Sequence, residues 1–66
     1  MNQVKLMVDQ IFKSKVPKTA THFFHEGGYI TFMKDWQRFK IRKMTAAEYE
    51  ALKQTPLKPF NHWSLK

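Results

Sequence analysis

From His22 to Met44 the chain reads HFFHEGGYITFMKDWQRFKIRKM. Aromatic and β-branched residues dominate this stretch. Two interruptions, Glu26-Gly27-Gly28 and Lys34-Asp35, cut it into runs of strand length. A glycine pair supplies the positive φ that tight hairpins need. The stretch therefore predicts a three-stranded antiparallel meander: Thr21 to His25, Tyr29 to Met33, and Trp36 to Lys43.

Alternation assigns the faces. With Lys34 and Asp35 as a two-residue turn, Met33 pairs with Trp36, Thr31 with Arg38, Tyr29 with Lys40, and Ile30 with Phe39. One face then carries Ile30, Phe32, Phe39 and Ile41. The other carries Tyr29, Thr31, Met33, Trp36, Arg38, Lys40 and Arg42. A slip of one residue would mix the apolar and cationic sets, which argues for this register. A two-residue turn in the first hairpin adds Phe23 to the apolar face and His22 and Phe24 to the mixed face. A three-residue loop would reverse those assignments.

The apolar face needs cover, and two segments have helical patterning. Val4, Met7, Val8, Ile11 and Phe12 recur at the spacing of one helix face, with Lys5, Asp9 and Lys13 opposite and Leu6 exposed alone. Asn2 suits an N-cap. Pro17 disfavours helical geometry at Val16, so the helix is expected to stop near Ser14 or Lys15. The second segment, TAAEYEALKQ, opens with Thr45 and has Glu48 three residues later, the pattern of a capping box. Its apolar stripe reads Ala46 or Ala47, Tyr49, Ala51 and Leu52, and Thr55-Pro56 closes it. The fold class expected is α+β, in the order α-β-β-β-α. The whole of 1–66 forms one small domain. Residues 55–66 form an extended tail whose Leu57, Phe60, Trp63 and Leu65 are expected to pack back on it.

Size sharpens that last expectation. A chain of 66 residues without cysteine has no disulfide or thiolate metal site and buries only ~60% of its unfolded surface. Two Trp, two Tyr and six Phe compensate, because each aromatic buries a large area. The start, MNQVKLMVDQIF, has an Asp in its middle and no unbroken apolar run, so it reads as a helix rather than a leader. No run approaches the ~20 apolar residues of a membrane span. The expectation is a cytoplasmic protein with no membrane partner.

Twelve Lys and Arg against five Asp and Glu give a net charge of +7, more than solubility requires and suited to a polyanionic or acidic partner. The mixed face is the candidate site. Arg38, Lys40, Arg42, Lys43 and Lys34 would hold phosphates, while Trp36 and Tyr29 would stack on bases or pack on sugars. Aromatic sheet platforms with basic surrounds hold nucleic acids in this way. The leading expectation is a largely sequence-tolerant DNA- or RNA-binding protein. Four phosphate contacts to duplex DNA would give a log–log salt slope of about −3.6.

The alternative is a small protein-binding modulator or inhibitor of a larger host enzyme or regulator, of the kind a phage or mobile element encodes. It would use the same surface against an acidic groove, with Trp36 and Arg38 as hot spots. The strand Trp36 to Lys43, if it lies at a sheet edge, is also a pairing template for a partner or for a homodimer.

Catalysis finds little support, since even a His25–Glu26 acid-base pair would diverge on a strand. Ser14 and Ser64 have no evident base, Glu48 and Glu50 point to different sides of a helix, and Gly27-Gly28 is too short for a phosphate loop. The H-x-x-H of His22 and His25 would chelate poorly, because strand residues three apart face opposite ways. No cofactor and no metal are expected.

Overall fold

The computed structural model describes residues 3–13 and 15–65. It is an α+β fold in the expected order, with one strand added at the end: α1 (Gln3–Phe12), β1 (His22–Glu26), β2 (Tyr29–Lys34), β3 (Gln37–Lys43), α2 (Ala46–Lys53) and β4 (Trp63–Ser64). The strands form one antiparallel sheet in the order β3-β2-β1-β4. Both helices cover the same face.

The helices sit where their apolar patterns place them. Val8 and Phe12 of α1 are buried, with Val4, Met7 and Ile11 packed at the margin of the core. Lys5 and Asp9 pair at 3.2 Å on the opposite side, and Leu6 is exposed. Helix α1 ends earlier than Pro17 alone would require, because Lys13 takes a φ of +48°. The Asn2 cap and the stop at Ser14 lie outside the described residues. The capping box of α2 is complete: the Glu48 N–H donates to Thr45 Oγ1 at 3.1 Å, and the Thr45 N–H donates to Glu48 Oε1 at 2.9 Å. The inward side of α2 differs from the apolar stripe. Leu52 and Glu48 are buried, while Tyr49 is exposed.

The first hairpin turns on Gly27 and Gly28, with φ of +53° and +86°, and pairs Glu26 with Tyr29. Phe23 therefore joins Ile30 and Phe32 in the core, with Val8, Phe12, Leu52, Leu57 and Leu65 packed on them. The tail runs back along β1. Phe60 N–H donates to His25 O, Leu65 N–H donates to Thr21 O, and Trp63 pairs with Phe23. His25 Nε2 donates to Leu57 O at 2.7 Å, fixing the tail's entry from the core side. Leu57 and Leu65 are as deeply buried as the helix residues. Each fully buried Leu contributes roughly 1.5–3 kcal/mol, a large share of the ~3–10 kcal/mol that 66 residues can muster.

The second hairpin corrects the sequence reading. Its turn residues are Asp35 and Trp36, both at positive φ, and Lys34 pairs with Gln37 and Met33 with Arg38. Phe39 is then an extra residue. Phe32 pairs with Lys40, Thr31 with Ile41, Ile30 with Arg42, and Tyr29 with Lys43. A one-residue bulge inverts every side chain beyond it. Lys40 and Arg42 consequently lie on the helix side, and Ile41 and Lys43 on the open side. Phe39 and Ile41, expected in the core, are exposed. The inversion lets Arg42 pack its guanidinium 5.9 Å from the centre of the Phe12 ring and 3.8 Å from the buried Glu48 carboxylate.

Candidate nucleic-acid interface

With the helices on one face, the other face of the sheet is left to side chains and loops. Its register makes three rows across β1, β2 and β3. His22, Met33 and Arg38 form the first, Phe24, Thr31 and Ile41 the second, and Glu26, Tyr29 and Lys43 the third. The middle of this grid is closed: Phe24, Thr31 and Met33 are buried although no helix lies over them. Arg38 stacks its guanidinium 5.2 Å from the centre of the Phe24 ring, and His62 lies 5.0 Å from the same ring.

Trp36 stands at one end of the grid. The hairpin turn lifts it, and it remains 64% exposed. His22 stacks against it at 4.1 Å, and His62 meets it edge-on at 5.9 Å. The turn is tied down by the Asp35 N–H, which donates to Thr21 Oγ1 at 3.1 Å. Three separate segments thus fix one indole: β1 through His22, the turn, and the tail through His62. Its outer surface is accessible, and Arg38 lies on the same side of the sheet, over the Phe24 ring that His62 also meets. Lys34 and Arg38 line one open cleft beside Phe39.

The seven residues expected in the site separate into groups. Tyr29, Arg38 and Lys43 lie on the open face, with Trp36 at the turn above it. Lys34 is exposed at the end of β2, next to that turn. Lys40 is exposed but on the helix side, flanking rather than facing the grid. Arg42 is withdrawn altogether: it is largely buried and committed to Glu48 and Phe12. The row of three cations along β3 therefore does not exist as a row.

His62 is the contributor that pattern reading missed, since nothing in the tail's spacing tells which side of β1 it returns on. The histidines also divide. His22 and His62 both meet Trp36, whereas His25 points to the core side and bonds to Leu57. Among the described residues no three His, Cys, Asp or Glu side chains are placed to hold a metal ion. No helix among them is long and apolar enough to cross a membrane. The chain matches no protein-family model, no curated protein and no solved structure.

Proposed function

We propose that this protein binds single-stranded nucleic acid, largely without regard to sequence, on the open face of its sheet. The observation that carries the reading is Trp36, an exposed indole pinned between His22 and His62, on a face where Arg38 lies over the neighbouring Phe24 ring. A fixed flat ring on a face that also carries cations suits a base and its phosphate, and stacking of this kind tolerates any base. Tyr29 offers a second exposed ring at the far end of the grid. Arg38 and Lys43 on the face, with Lys34 and Lys40 at its margins, supply the phosphate contacts. A single strand fits better than a duplex, because the aromatic surfaces can be used only by bases that are free to stack.

The test is a titration of tryptophan emission with short single-stranded and duplex oligonucleotides across a range of salt. Four contacted phosphates on a single strand give a log–log slope of about −2.8. Arg38→Ala lowers the slope by about 0.7, whereas Arg42→Ala leaves it unchanged. Binding indifferent to salt, or Arg42 mattering as much as Arg38, would sink the proposal.

A further inference from the structure

Strand β3 is the outer strand of the sheet, and no described strand pairs with its far side. The Met44 N–H donates to Gly28 O at 2.8 Å. By alternation, Arg42 turns its backbone groups toward β2, and Ile41 and Lys43 turn theirs away from the sheet. The outer edge thus presents backbone donors and acceptors in alternation. Arg38, Phe39, Lys40 and Ile41 line a shallow groove along it. Two of these are apolar and well exposed, Ile41 at 62% and Phe39 at 45%.

Lysine and arginine on an edge strand are a common protection against stray pairing. Protection does not require a large apolar residue between the cations, and here Ile41 stands in the open between Arg38 and Lys43. We infer that the β3 edge is a docking site for an extended acidic polypeptide segment, which adds to the sheet as a fifth strand. Charge decides the occupant. The strand QRFKIRK has no acidic residue. Two copies paired antiparallel would set Lys or Arg of one against Lys or Arg of the other in all but one register near its middle, which is unfavourable. Nucleic acid meets the cations but cannot satisfy a ladder of alternating N–H and C=O groups, and the carbonyls repel phosphate. A peptide backbone satisfies both. The pattern on β3 specifies the segment: an apolar residue opposite Ile41, acids two residues to either side opposite Lys43 and Arg38, and an acid opposite Lys40 on the other side of the chain.

The experiment uses a blocked, fluorescently labelled heptapeptide with a central Val, Glu two residues before and after it, and a third Glu directly following it. Its binding to the full-length protein is read by polarisation. The expected result is salt-sensitive binding that falls at least tenfold when the Val nitrogen is methylated, since the methyl group removes one ladder hydrogen bond and leaves every charge in place. Ile41→Pro removes the matching outward N–H of the protein, at an edge position where proline is tolerated, and should cause a similar loss while oligonucleotide binding persists. Equal binding of the methylated and parent peptides would overturn the inference, because attachment would then rest on charge alone. So would a dimer in sedimentation that Ile41→Pro dissolves, because a second copy would then occupy the edge.

Discussion

Trp36 occupies the second turn position of a hairpin with φ of +67°, a place where glycine is preferred and a bulky side chain is strained. Holding a non-glycine residue there costs about 1–2 kcal/mol. The ring recovers part of this. With roughly a third of the indole covered, its burial returns up to about 2 kcal/mol, and stacking on His22 adds about 0.5–1.5 kcal/mol. Replacing Trp36 by Gly removes strain and contacts together, so the net change in stability should lie within about 1–2 kcal/mol, a Tm shift of no more than roughly 15 °C. Trp36→Ala keeps most of the backbone strain and loses the ring, and should be less stable than Trp36→Gly by about 1 kcal/mol. Binding should behave differently. One stacked base contributes about 1–3 kcal/mol, so either variant should bind a single-stranded oligonucleotide about 5- to 150-fold more weakly. Denaturant melts and polarisation titrations on the three proteins measure both quantities. If the Ala variant proves as stable as the Gly variant, the turn is not strained as described. If affinity stays within twofold of the parent, Trp36 is not the platform.

Leu65→Ala should cost about 2–4 kcal/mol, enough to leave the domain marginal at room temperature; a loss under 1 kcal/mol in denaturant melts would mean that the tail is not part of the core. Glu48→Gln preserves the capping geometry but removes the charge facing Arg42 and Lys15, and should destabilise by about 1–3 kcal/mol. A double-mutant cycle with Arg42→Met should recover much of that loss; strict additivity would mean that the pair contributes nothing. Deleting Phe39 takes out the extra residue of the bulge and leaves Lys40 to Lys43 opposite the partners they now have. The variant should fold with stability within about 1 kcal/mol of the parent. In a sheet without the bulge the same deletion would invert the end of β3 and abolish the cooperative melt.

The element order could be read from residue patterns because each element carries a local signature that its surroundings reinforce. Thr45 and Glu48 cap α2 by their own side chains, and Gly27-Gly28 makes the first turn without help from tertiary contacts. The face of α1 follows from five apolar residues at helical spacing. The second hairpin lacked such a marker. Asp35-Trp36 is a poor sequence for a turn at positive φ, whereas Lys34-Asp35 looked at least as suitable. Alternation along β3 could not reveal the bulge, because Phe39 and Ile41 share one parity and Arg38, Lys40 and Arg42 the other, and the pattern is equally regular with or without an extra residue. What selects the bulged register lies outside the strand itself: the carboxylate of Glu48 and the ring of Phe12, which receive Arg42.

Two of the places where local rules fail, the turn at Trp36 and the bulge beyond it, border the candidate site. Trp36 and Phe60 are both bulky, both at positive φ and both among the most exposed large side chains. A glycine at either position would suit the backbone better, so the surrounding structure must hold the aromatic there against a local cost. For Trp36 the holding groups are visible: His22, His62 and the Thr21 hydroxyl at the base of the turn. The bulge likewise leaves Ile41 and Phe39 exposed on an outer strand, where two apolar residues give the isolated domain little. Departures from local preference gather where a protein is shaped for something other than its own stability. Two of them, the Trp36 turn and the bulge, run from the tip of the second hairpin down the outer strand, while Phe60 lies apart beside β1. That pairing of turn and bulge, more than the +7 charge spread over the whole chain, is what supports the proposal that this side binds a partner.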